Sequence, residues 1–213
     1  MSDKSNKFGY VGADIPAQSF GNNKGIFNPA EINELVADNK WTQYGQLELI
    51  ETQNVTSAVS NIDFVDLKED IYDEHLLTCN NVETLTDSRH LVARFSNDGG
   101  TTYKTSTYYN SYLSNNSAGG QTSNSFLQYL SASLGTGSNE KGNGFIKFYN
   151  LGDSLKRGGA NSIFTDFNAS ATRQITMGFA INLSYEQVNA IRLTGHASTT
   201  WKGTYSLYGV KRY

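Results

Sequence analysis

From Gly45 onward the chain is a succession of short runs rich in Tyr, Phe, Val, Ile and Thr, separated by clusters of Asn, Asp, Gly and Ser. A turn signal about every 8–12 residues leaves no room for long helices and suits the strands of two packed antiparallel sheets. The runs begin with QLELIET, where Leu47 and Leu49 alternate with Glu48 and Ile50, and TSAVSNIDFVDL, with Val59, Ile62, Phe64 and Leu67. IYDEHLLTCNNV, RHLVARFSN and TTYKTSTYYN follow, and beyond the polar stretch SNNSAGGQTSNS come FLQYLSASL, GFIKFYNL, NSIFTDFN, RQITMGFAI, NAIRLTG and TYSLYGVKRY. Composition agrees: 22 Asn, 22 Ser, 19 Thr and 20 Gly in 213 residues disfavour helices, and 13 Tyr with 11 Phe suit half-buried strands. The expectation is an all-β fold, an antiparallel β-sandwich or jelly roll, over residues 45–213.

Residues 1–44 read differently. Gly9, Gly12, Gly21 and Gly25 interrupt any period, so the first 27 residues are expected to be an extended lead. FNPAEINELVADNKW then carries a helix start: Asn28 can cap, Pro29 suits the first helical position, and Glu31 stands three residues after the cap. Ile32, Leu35 and Val36 form a narrow apolar stripe, and the helix ends near Asn39 and Trp41. So short a stripe cannot stabilise a helix alone. A docking helix with Ile32, Leu35, Val36 and Trp41 as its contacts is expected, lying on the main domain or on another protein.

Charge separates along the chain. Residues 47–98 hold 11 Asp/Glu against 3 Lys/Arg, net −8, whereas residues 141–213 hold 9 Lys/Arg against 3 Asp/Glu, net +6. Either the two halves interleave their strands in one fold, or they face each other between subunits. An overall charge of −3 offers no basic stripe for phosphates, so nucleic acid is not an expected partner. No apolar run approaches the roughly 18 residues of a membrane span, and MSDKSNKFGY reads as no secretory signal. Membrane insertion is not expected. The lone Cys79 excludes an internal disulfide, and His75, His90 and His196 have no zinc spacing.

Few residues point to chemistry. Six carboxylates between residues 63 and 74 (Asp63, Asp66, Glu69, Asp70, Asp73 and Glu74) lack the turn glycine of a calcium loop and are threaded with apolar residues, so they read as a charged strand edge or turn. Asn97-Asp98-Gly99-Gly100 reads as a hairpin turn between two strands. His90 reads as an ordinary strand residue, and Cys79 as a small buried one. No nucleophile elbow, GxGxxG, P-loop or HExxH occurs. No catalytic residue, metal or cofactor is assigned, and the chain is expected not to be an enzyme. The remaining handle is the polar, aromatic-flanked loop 108–124. Tyr108, Tyr109 and Tyr112 could stack on a sugar while Asn115 and Asn116 bond its hydroxyls, although a loop packed against a subunit explains the same composition.

Three stretches together resemble structural proteins of tailed-bacteriophage virions, in particular fibre, spike and appendage proteins of marine and cyanobacterial phages. GQLELIETQNVTSAVSNIDFVDLKEDIYDEHLLTCNNV through RHLVARFSNDGGTTY is similar to a module in which a Leu-x-x-Ile strand leads to Ile-Asp-Phe, a Tyr-Asp turn, an inward strand and a Phe-Ser-x-Asp-Gly-Gly hairpin. GTYSLYGVKRY resembles the closing strand of those proteins, and KGIFNPAEINELVADNKW the element of Gly-Val-Phe, short helix and Trp that precedes them. The resemblance covers roughly half of the chain and leaves residues 110–200 outside it. It implies a non-enzymatic virion protein with a β-sandwich body and a homo-oligomer, usually a trimer. The expected partners are other virion proteins and, for a tail or head fibre or spike, host-surface glycan. A capsid or tail decoration or connector protein with no receptor is the alternative; a glycan-cleaving spike would need paired carboxylates about 5–10 Å apart in a groove.

Overall fold

The computed structural model describes residues 27, 29–37, 47–114, 117–121, 125–131 and 133–211. The chain divides between Tyr44 and Gly45 into two units. In the first, α1 (Pro29–Ala37) starts at the expected proline, with Glu31 in its first turn. Ile32 and Leu35 are half-buried, and Val36 is exposed. Asn28, Asn39 and Trp41 lie outside the described residues, as does the lead 1–26.

The second unit is all β. Its described strands are β1 (Leu47–Val59), β2 (Asn61–Phe64), β3 (Tyr72–Thr84), β4 (Leu91–Ser96), β5 (Tyr108–Ser114), β6 (Ser117–Gln121), β7 (Gln128–Tyr129), β8 (Gly142–Tyr149), β9 (Arg157–Phe167), β10 (Arg173–Tyr185), β11 (Ala190–Gly195) and β12 (Trp201–Lys211). They form two antiparallel sheets packed as a sandwich, one of eight strands in the order β1-β12-β3-β8-β9-β10-β5-β6 and one of four, β2-β11-β4-β7. Between the sheets lie Leu77, Ile146, Phe148, Phe164, Trp201, Tyr205 and Leu207 from the large sheet and Ile62, Phe64, Leu91, Phe95, Ile191 and Leu193 from the small one, all at most 1% exposed. Cys79 is buried in this core as expected, and burial pushes its thiol up to about 12.

The pairing settles the charge asymmetry. Acidic β1 and β3 alternate with basic β12 and β8, and acidic β2 lies beside β11. Glu74 meets Lys147 at 2.6 Å, Glu83 meets Lys141 at 2.6 Å, and Asp63 accepts both the Nε and Nη2 protons of Arg192 at 2.6 and 2.7 Å. The two halves interleave within one chain. These pairs are partly exposed, so each contributes about 1 kcal/mol or less. The acidic cluster is thereby dispersed: Asp63 turns to Arg192, Glu74 to Lys147 and Glu69 to Gln187.

Three local expectations are corrected. Asn97–Gly100 does turn the chain, with Gly99 and Gly100 at φ 70° and 84°, but β4 and β5 belong to different sheets, so the connection crosses between sheets instead of closing a hairpin. TTYKT is a loop, because the Asp98 carboxylate gathers the backbone N–H and hydroxyl of Thr102 and the hydroxyl of Ser96, winding the chain around itself. Those bonds hold the Asp98 carboxyl down to about 2. FLQYLSASL contributes only β7 and an isolated bridge from Leu134 to Arg89, since Phe126, Leu127, Leu130 and Leu134 point into the core from irregular backbone.

Candidate functional site

The tyrosine-rich stretch is not a loop. It is the hairpin β5–β6, with Ser114 paired to Ser117; Asn115 and Asn116, between them, lie outside the described residues. Alternation along β5 separates the three tyrosines. Tyr108 is fully buried, its hydroxyl accepts the Phe95 N–H at 2.8 Å, and burial raises its pKa. That removes Tyr108 from any sugar-stacking set. Tyr112 is half-buried on the same inward side, edge-on to Tyr129 in a cluster with Phe126, His90 and His196. Tyr109 alone is exposed, on the opposite face. His90 is no plain strand residue: its Nδ1 stands 3.2 Å from the Ser131 carbonyl and its ring lies 6.2 Å from His196.

The surface that stands out is the outer face of the large sheet. Register carries one row of side chains across seven of the eight strands: Thr52, Ser206, Thr78, Phe145, Ile163, Met177 and Leu113. The next row is Leu49, Tyr208, Leu76, Lys147, Asn161, Phe179 and Ser111. These fourteen positions include one charge, Lys147, which Glu74 neutralises. An antiparallel sheet facing water normally presents polar side chains there.

β10 carries the contrast furthest. Its alternation is inverted: Gln174, Thr176 and Gly178 are buried, whereas Ile175, Met177 and Phe179 are 47%, 39% and 59% exposed. The reason is local packing. Facing β10 across the sandwich, Gln128 lays its amide on Gly178 where any Cβ would collide with it, so the interior has no volume left for larger residues. Together with Leu113, Ile163 and Phe145 these side chains form a continuous apolar patch on β8, β9, β10 and β5. Sequence reasoning missed it because alternation in RQITMGFAI was read only as a strand. The signal was present in the pairing of a Gly, a Thr and a Gln on one side against three large apolar residues on the other.

Two rims of the sandwich are fixed by side chains. Arg192 stacks over the Tyr103 ring at 3.9 Å while gripping Asp63, and the Tyr103 hydroxyl is pushed up to about 12, chiefly by burial and then by the Asp63 charge. Lys104 pairs with Glu186 on the same side. These contacts tie loop 97–107 over the small sheet. Among the described residues no group of three or more His, Cys, Asp or Glu side chains is placed to hold a metal ion. Comparison with family models, curated proteins and solved structures returns no match to this chain.

Proposed function

We propose that this chain is a non-enzymatic structural component of a bacteriophage virion, a fibre, spike or appendage protein that docks through residues 1–44 and self-associates, as a trimer, through its sandwich. The three family-like stretches support the virion reading, and the inverted β10 carries the assembly reading. A strand that turns Ile175, Met177 and Phe179 outward is built for a surface that is covered. At about 4.8 Å between strands and about 6.8 Å between successive outward residues, four strands by three rows give on the order of 400 Å². That lies within the range of the largest patch a monomer leaves bare, and the Thr, Ser and Asn side chains beside it extend the surface toward the roughly 800 Å² per partner of a stable interface.

Sedimentation equilibrium of the full chain at micromolar concentration tests this. A trimer is expected for the native sequence, and a monomer that still unfolds in one cooperative transition for the double substitution Met177→Lys, Phe179→Lys, because neither side chain reaches the core. A native monomer, or a trimer that survives both lysines, refutes the patch as the interface. Among the described residues, every buried member of the core cluster lies between Ile62 and Leu207. A chain lacking residues 1–44 should therefore fold normally yet fail to join particles, and unfolding of that chain would refute the docking role.

A further inference from the structure

Beside the β10 patch, and sharing Phe145 and Ile163 with it, the outer face is indented where three strands lose register together. Along β3 and β8, Cys79 pairs with Gly144 and Val82 with Gly142, so Asn80 and Asn81 both bulge opposite Asn143. β12 shifts at the same level, between Lys202 and Thr204, with Gly203 at φ 142°. Asn81 takes φ 51°, and its N–H donates to Asn143 Oδ1 at 2.9 Å in place of a ladder bond. Paired bulges bend strands and re-aim side chains. The result is a depression of about 520 Å³ whose walls include Thr78, Asn80, Asn143, Phe145, Thr165 and Tyr208.

The chemistry of that wall is narrow. None of its residues is charged. Some of its polar groups are held by the chain: Asn143 Oδ1 accepts from Asn81, Thr165 Oγ1 donates to the Asn143 carbonyl at 3.2 Å, and Thr78 Oγ1 donates to the Ser206 carbonyl at 3.4 Å. Asn143 Nδ2, the Asn80 amide and the Tyr208 hydroxyl make no hydrogen bond within the described chain. The site thus offers free amide and phenol groups on a pre-positioned frame, beside the apolar bodies of Phe145 and Tyr208. An anion or cation would find no counter-charge. An extended peptide would need an open strand edge, and β12, β3, β8 and β9 are each paired on both sides. A ligand with an apolar C–H face and a rim of neutral hydroxyls satisfies every group present.

We propose that this depression is a binding site for a neutral saccharide, packed against Phe145 and Tyr208 and hydrogen-bonded by the side chains of Asn80, Asn143 and Tyr208. It is distinct from the β5 tyrosines, and it does not depend on the virion reading, since a sugar site would stand on an oligomer or monomer of any origin. Phe145 and Ile163 belong to both surfaces, so the site lies at the β8–β9 margin of the apolar patch, with its polar groups on β3, β8 and β12.

The test is saturation-transfer NMR with calorimetry on the full chain, using maltotriose, cellotriose, N-acetyllactosamine and chitotriose at millimolar concentration, with trigalacturonate as the charged control. At least one neutral sugar should bind and trigalacturonate should not. Phe145→Ala should weaken binding roughly tenfold. Thr165→Lys, an exposed position whose longer side chain fills the depression without entering the core, should abolish binding at an unchanged melting temperature. Absence of binding by all four neutral sugars, binding undiminished in Thr165→Lys, or equal binding of trigalacturonate overturns the assignment. The titration is run also on the Met177→Lys, Phe179→Lys chain, whose two substitutions lie outside this wall, so that binding is read whether or not the native chain self-associates and the two proposals fail separately.

Discussion

Replacing Gly209 with alanine probes how the large sheet is assembled. Gly209 sits in β12 between Glu48 of β1 and His75 of β3. Its backbone is not left-handed, so alanine is conformationally acceptable there and by itself would stabilise the strand by about 0.5–1 kcal/mol. The obstacle is Tyr72, whose ring lies across the glycine: a Cβ would stand 2.5 Å from Cδ1 and at least as close to two further ring carbons. The ring cannot swing aside. Its hydroxyl donates to Glu48 Oε2 at 2.8 Å, and its edge meets the His75 ring at 6.0 Å. Burial, with the hydrogen bond to Glu48 second, raises the phenol to about 12, so it remains a donor throughout the neutral range. Overpacking of this kind costs about 1–3 kcal/mol, and loss of a half-exposed hydroxyl–carboxylate bond adds about 1. After the gain in backbone entropy, Gly209→Ala should destabilise the sandwich by about 2 kcal/mol. Urea unfolding should show a lower midpoint at constant slope. In a Tyr72→Ala background the same substitution should become stabilising, by up to about 1 kcal/mol. A neutral Gly209→Ala, or a penalty that persists without the ring, refutes the argument.

Two further outcomes concern pH. His75 is fully buried, with Nε2 2.7 Å from the Leu67 carbonyl, and burial holds its pKa below the ordinary 6.5; His90 is lowered for the same first reason. The unfolded chain then binds protons that the folded one refuses, so the urea midpoint should fall as pH drops below 6.5, and His75→Asn should flatten that dependence; a slope unchanged by the substitution would reassign it. Asp98 works in the opposite sense of charge: its carboxyl is held at about 2, below the ordinary 3.8, so its ordering of loop 97–107 is complete above 3.8 and lost as pH falls through about 2. Asp98→Ala should therefore speed proteolysis within that loop at neutral pH, with little change in the global midpoint, and an unchanged cleavage rate would show that the Thr102 and Ser96 bonds do not order it.

Much of the architecture was legible because it is local. Tyr, Phe and Thr runs broken by Asn, Asp and Gly demand strands and turns wherever they occur, Pro29 and Glu31 mark a helix start, and Asn97–Gly100 must turn because glycine accepts positive φ. What could not be read is which side of each strand faces inward. Period-two alternation defines two faces but does not label them, and Leu47, Leu49, Ile175, Met177 and Phe179 all turn outward. The label is set by partners remote in sequence: Thr52 meets Ser206, Gln128 occupies the space over Gly178, and Asp63 meets Arg192. The same remoteness hid the depression at Asn80 and Asn143, where a bulge arises from the mismatch of three strands and no single segment encodes it. Local propensity chose strands, turns and the separate N-terminal unit; only long-range pairing and the volume left between two sheets decided which side chains were buried and which were left to meet something else.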